Sequence, residues 1–196
     1  TDPDDAPPAP VDPVTRPGDV WLLGRHRVMC GDSTMLHDVT RLLAGASVDL
    51  CLTDPPYGLG DTESEKNDYE QYEDTKENLR ETIDGFLPLA QTLAPVVVLT
   101  PGNGNSMLYP DPDWTMAWFT PAGVGMGPWG FCCWQPILCY GKDPKLSAGK
   151  GCHPDAIVHT EASEKLGHPC TKPTNFWVWL LERTSEAGQT FFEPFC

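Results

Sequence analysis

The residues best placed to do chemistry in this chain stand at the ends of short apolar runs. Residues 48–53 (VDLCLT) are nearly continuously apolar and lead directly into Asp54-Pro55-Pro56-Tyr57. Two prolines fix their own backbone and hold the residue before them extended. A carboxylate and an aromatic ring are thereby presented side by side on a stiff support. A planar base with an exocyclic amino group suits such a pair: it stacks on Tyr57 and donates its N–H groups to Asp54 and a nearby backbone carbonyl. Such a base must first leave its helix. Two further acidic residues follow predicted strands, Asp32 after residues 27–30 and Glu193 after residues 190–192. In an open parallel sheet the ligand crevice lies at the carboxyl ends of the strands. Three carboxylates converging there suit a cationic ligand or one rich in hydroxyl and amino donors. Asp is also common in turns that follow strands, and for Asp32 or Glu193 taken alone that plainer reading is preferred.

The elements that must position these residues alternate between strand and helix. Residues 34–44 carry Met35, Leu36, Val39, Leu42 and Leu43 at helical spacing, closed by Gly45. Residues 48–53 and 96–100 read as strands buried on both faces, and 78–93 as a helix in which Pro88 predicts a kink or break. Residues 61–75 are charged without apolar period and read as a solvated loop, and 141–172 as a polar loop. Strands are predicted at 114–119 and 131–140, separated by a Gly/Pro-rich stretch. Pro173 opens a helix whose apolar face is Phe176, Trp177, Leu180, Leu181 and Thr184, with Gly188 ending it. This alternation predicts an α/β fold with a doubly wound sheet.

On these residues the chain resembles the amino-group DNA methyltransferases that use S-adenosyl-L-methionine, whose catalytic motif is (D/N/S)PP(Y/F/W). The resemblance runs from Gly18 to Cys196 and includes Gly31-Asp32, GFCCWQPILCYGK, HPCTKP at 168–173 and FFEPFC at the end. The catalytic motif precedes the cofactor strand, as in the β-type order. The 1–17 segment and the wording of EASEKLGHPCTKP resemble methylases fused behind a ParB-like domain. The resemblance implies a Rossmann-like sheet and transfer of a methyl group to a flipped base, adenine N6 before cytosine N4 because the motif begins with Asp, in the manner of restriction-modification methylases. It assigns Asp54 and Tyr57 to the base, with Pro55 and Pro56 shaping the site. Asp32 is assigned to the cofactor adenine, and His168, Lys172, Pro173, Glu193, Phe195 and Cys196 to its methionine and sulfonium region. The family's glycine-rich loop after FFEPFC and the acidic ribose-binding strand beyond it are not in the chain, so the expectation is an incomplete sheet and weak cofactor binding by this chain alone. An RNA or protein amino-group methyltransferase, or an inert interaction module, are the alternatives.

Composition sets outer limits. The 196 residues suffice for a domain with a proper core. The expected organisation is a Pro/Asp-rich linker at 1–17 and one catalytic domain at 18–196, both ends reading as cut from something longer. Thirteen Lys and Arg against 28 Asp and Glu give a net charge of −15, which argues against a basic nucleic-acid clamp or docking on anionic membrane. Residues 1–13 and 61–84 supply −4 and −7 of it, while residues 141–172 are +1, so a locally neutral DNA-facing rim remains compatible with it. No run approaches a membrane span. The eight cysteines lie mostly in apolar stretches without a CxxC, which fits a reducing cytoplasm. Cys152-His153 and His168-Pro169-Cys170 match no zinc spacing, and no metal is expected. Trp114, Trp118, Trp129 and Trp134 read as core before base-stacking surface, and Lys142, Lys145, Lys150, Lys165 and Lys172 as a solvated loop or a track for DNA backbone.

Overall fold

The structure is a computed structural model that describes residues 12–58, 75–121, 123, 125–159 and 172–195. The predicted charged loop, His168 and Cys196 lie outside the described residues. The chain divides into two compact units, Thr1–Ala46 and Ser47–Cys196.

In the first unit, strands β1 (Val20–Leu23) and β2 (His26–Met29) form an antiparallel hairpin followed by helix α1 (Leu36–Leu43). Arg27 ties the hairpin to the helix by donating from Nε to the Leu42 carbonyl at 2.6 Å. A strand was expected before Asp32, and β2 is that strand. It pairs with β1 alone, in a two-stranded sheet of its own. Asp32 therefore does not follow a strand of the central sheet, which corrects the expected row of three carboxylates at one sheet edge.

The second unit is an α/β layer structure. Its elements are β3 (Leu50–Thr53), α2 (Lys76–Leu93), β4 (Val96–Leu99), β5 (Trp114–Phe119), β6 (Met126–Gly127), β7 (Gly130–Phe131), β8 (Trp134–Gly141), α3 (Pro144–Ser147), β9 (Ala156–Val158), α4 (Thr174–Thr184) and β10 (Phe191–Phe192). Six strands form one sheet in the order β10-β3-β4-β8-β5-β9, and β6 and β7 form a separate hairpin. β10, β3 and β4 run parallel, with α2 as the crossover of a β3-α2-β4 unit. β8 is antiparallel to both β4 and β5, so the sheet is mixed, within the α/β architecture expected from the sequence. Val96–Leu99 and Leu50–Thr53 are buried nearly throughout, as strands covered on both faces must be. One face carries Leu50, Leu52, Val98, Met116, Trp118 and Ile137 against Phe176 and Leu180 of α4. Cys51, Val97 and Leu99 alternate to the other face and are equally buried. α2 packs against β4 and buries Leu79, Ile83, Phe86, Leu87 and Ala90 outside the α4 cluster, so each face has its helical layer.

Other expectations are corrected in detail. Pro88 does not break α2, which runs unbroken from Lys76 to Leu93 with the proline on its exposed side. The strand expected at 131–140 begins at Trp134, because Gly130–Phe131 belongs to the β6–β7 hairpin. The loop expected at 141–172 holds α3 and β9. α4 stops at Thr184, ahead of Gly188, where the Thr184 and Ser185 hydroxyls donate back to the carbonyls of Leu180 and Leu181. Of the four tryptophans expected in the core, only Trp118 is buried. Trp114, Trp129 and Trp134 are exposed.

Candidate active site

Parallel neighbours end on the same side of a sheet, and here each of three neighbours is followed at once by a polar residue: β3 by Asp54, β4 by Thr100 and β10 by Glu193. Sheet order alone thus brings together residues 46 and more positions apart. Asp54 Oδ1 accepts from the Tyr57 hydroxyl at 2.5 Å, from Thr100 Oγ1 at 2.6 Å and from Lys172 Nζ at 2.6 Å. Its Oδ2 accepts from Lys172 Nζ at 2.5 Å. The Lys172 ammonium also donates to the Tyr57 hydroxyl and stands 5.0 Å from the centre of the Tyr57 ring.

Local chemistry explains this arrangement. Pro55 and Pro56 hold Asp54 at the end of β3 and turn the chain so that Tyr57 folds back onto it. The Tyr57 carbonyl is fixed by Asn105 Nδ2 at 2.6 Å. Gly102, with φ of 72°, lies against the tyrosine ring, where an added Cβ would meet Cδ1 at 3.4 Å. Pro173 sets the entrance of α4, its carbonyl accepting from the Phe176 amide, and so places Lys172 immediately before the helix. The Lys172 side chain is 4% exposed and that of Asp54 31%. A lysine so buried requires a counter-charge, and Asp54 supplies it.

Glu193 accepts from Thr53 Oγ1 at 2.7 Å and from the Phe195 amide at 2.8 Å. Burial pushes its carboxyl up to about 7, against the pull of these two bonds, and the nearby Asp54 charge adds to the rise. Asp54 and Glu193 face a cleft of about 320 Å3 whose other walls are Leu52, Trp177, Leu181, Phe191 and Phe195. Phe195 is braced edge-on against Phe86 at 4.9 Å.

Of the residues singled out in the sequence, Asp54, Glu193 and Phe195 line this cleft, Tyr57 and Lys172 meet Asp54, and Pro55, Pro56 and Pro173 stand beside these in the chain. Asp32 belongs to the first unit and holds a turn there, accepting from the Thr34 amide and hydroxyl at 2.8 and 2.6 Å. Lys145 and Lys150 do not lie free for DNA: both pair with Glu186 at 2.7 Å. Thr53, Thr100, Asn105 and Gly102 were missed. The one signal available for Thr100 was its position as the polar residue ending an apolar run, the same signal that marked Asp54.

Neither a known protein family nor a curated protein matches the chain. Among solved structures it is similar to PvuII DNA methyltransferase (cytosine-N4-specific), at 15% sequence identity and a TM-score of 0.48, over 83% of this chain and 71% of that one. Among the described residues no helix is long and apolar enough to cross a membrane.

Proposed function

We propose that the second unit is the catalytic core of an S-adenosyl-L-methionine-dependent methyltransferase that acts on the exocyclic amino group of a flipped DNA base, adenine N6 in the first instance. The observation that carries this reading is the joining of Asp54 and Tyr57 of the Asp-Pro-Pro-Tyr motif to Thr100 and Glu193 at the carboxyl ends of three parallel strands. The cleft beside them fits the cofactor by its chemistry. Trp177, Phe191 and Phe195 offer apolar and aromatic walls to an adenine ring, Asp54 offers a carboxylate to a cationic centre, and Glu193 adds a second above about pH 7. Glu193 and Phe195, which line the cleft, and Lys172 and Pro173, which open α4, are the described residues that would hold the cofactor, with His168 and Cys196 completing the proposed set. When bound, S-adenosyl-L-methionine supplies an electrophilic methyl group on a sulfonium.

The chain's own residues then act on the base. The Tyr57 ring gives it a stacking face, and Asp54 accepts an N–H of its amino group, which orients the nitrogen lone pair away from the carboxylate. As methylation makes that nitrogen positive, the fixed negative charge of Asp54 stabilises it without reorganisation, because Thr100 already holds the carboxylate in place. Asp54 also provides a resting place for the proton the nitrogen must lose.

Methyl transfer from labelled S-adenosyl-L-methionine to DNA, RNA and protein by the gene product that carries this chain tests the reading. Label in DNA as N6-methyladenine is expected. Asp54→Ala should lower transfer about a hundred- to a thousandfold, the scale seen when a pre-organised transition-state partner is removed. Full activity of Asp54→Ala, or label only in RNA or protein, would overturn the assignment.

A further inference from the structure

The two features that fit an amino-bearing base to this site are an acceptor for its N–H groups and a ring for its face. Lys172 holds both. Its ammonium donates to Oδ1 and Oδ2 of Asp54 at 2.6 and 2.5 Å and to the Tyr57 hydroxyl. It also stands 5.0 Å from the centre of the Tyr57 ring and 6.0 Å from that of Trp177, a wall of the cleft. A base amino group and this ammonium call on the same carboxylate lone pairs. They also conflict electrostatically, since a nitrogen becoming positive within a few ångströms of a buried cation is opposed by the charge meant to be absent from its surroundings. Oδ1 already accepts from Tyr57, Thr100 and Lys172, and the ammonium stands against Oδ2 as well, so an incoming amino group competes with Lys172 for the carboxylate.

We propose that Lys172 is a resident occupant of the amino-group position: its ammonium satisfies Asp54 and Tyr57 before a base arrives, and a target amino group binds by displacing it. This rests on the reading of the target as an amino-bearing base. The contact keeps Asp54 and Tyr57 in register and shields the carboxylate until a competing donor comes. It also lowers the apparent affinity for any base by the fraction of time the position is held. Free nucleosides, which have only the base to bind with, therefore bind more weakly than the open position would allow, whereas a base delivered on DNA draws on the remaining contacts of its strand.

Nuclear magnetic resonance of the nitrogen-15-labelled protein at the Lys172 Nζ group, titrated with 2′-deoxyadenosine, 2′-deoxycytidine or thymidine, tests this directly. The two nucleosides with an exocyclic amino group should abolish the bonded Lys172 signal in step with binding, and thymidine, which has none, should leave it unchanged. Lys172→Met should bind the amino nucleosides about tenfold more tightly, as expected if the position is free about a tenth of the time. Lys172→Arg, which keeps a cation there, should bind no more tightly than the native protein. Binding that leaves the Lys172 signal intact, or equal affinity of native protein and Lys172→Met, would overturn the proposal while leaving the substrate reading standing. Failure of either amino nucleoside to bind any of the three folded proteins would sink the substrate reading itself, and this proposal with it. The Lys172 signal of the native protein decides the matter even if Lys172→Met does not fold.

Discussion

Asp54 is held by one neutral donor whose loss can be isolated. Thr100 is 1% exposed and its hydroxyl donates to Oδ1 at 2.6 Å. Thr100→Val keeps the shape and removes the bond. A hydrogen bond to a charged group is worth about 1.5–3 kcal/mol, so kcat for methyl transfer should fall about 10- to 100-fold, with KM for the cofactor little changed. Thr100→Ser should restore most of it. An unchanged kcat in Thr100→Val would remove Thr100 from the positioning of Asp54. Glu193 gives a second prediction, in pH. Its carboxyl is raised from 4.5 to about 7 in the folded protein, chiefly by burial. Between those two values the folded protein keeps a proton that the unfolded chain has released. Stability from this group is therefore full below about 4.5 and is lost as pH rises through about 7. With the group partly exposed, the loss should be on the order of 1–3 kcal/mol. Glu193→Gln still accepts from Thr53 and Phe195 but cannot ionise, so denaturant titrations across this range should show the slope flattened. Equal slopes in the two proteins would refute the assignment.

At the scale of elements, the join between β4 and β8 depends on a single glycine. Gly141 has φ of 95°, and a Cβ there would fall well inside van der Waals contact distance of the Pro95 carbonyl oxygen, a backbone atom that cannot move aside cheaply. Gly141→Ala combines left-handed strain with a backbone clash and should destabilise the protein by about 2–5 kcal/mol, read as a lower denaturation midpoint with an unchanged m-value. A midpoint within about 0.5 kcal/mol of the native protein, the range of innocuous surface changes, would show that the join relaxes freely. The elements legible in the sequence were those whose burial pattern is decided locally: β3 and β4 as continuous apolar runs, α1, α2 and α4 from their spacing. What stayed hidden depends on pairing. Residues 26–29 look like any short strand, and nothing in them says that the partner is β1 rather than the central sheet. β9 is three residues inside a polar stretch. Asp54 was legible because its prolines carry a local mechanical meaning. Thr100 was not, because its role exists only once β4 lies beside β3. Lys172 was singled out through its surroundings in HPCTKP, but its contact with Asp54 is 118 residues away in sequence and follows from the placing of α4.

For the molecule as a whole, the net charge of −15 acquires a more exact meaning from the ion pairs. Residues 1–13 and 61–84 carry most of the excess, yet removing them from the account does not leave a basic surface. Several cations of the second unit are engaged in ion pairs: Lys172 with Asp54, Arg183 with Asp143 at 2.6 Å, and Lys145 and Lys150 with Glu186. The last pair holds the Glu186 carboxyl down to about 2. Lysines bound to carboxylates have little left to exchange for condensed counterions on DNA, and the salt dependence of binding counts just those exchanges, at about 0.9 per phosphate neutralised. Duplex binding by this chain should therefore be weak and only modestly salt-dependent, with a slope of log affinity against log salt shallower than about −3 between roughly 50 and 200 mM. Fluorescence anisotropy over that range measures it. A slope of about −6 or steeper would mean that six or more phosphates are neutralised, with Lys145 and Lys150 among the candidates once their pairs with Glu186 open. Glu186→Gln then separates the cases: it should steepen the slope if Lys145 and Lys150 can reach phosphate once released, and leave it unchanged if they cannot.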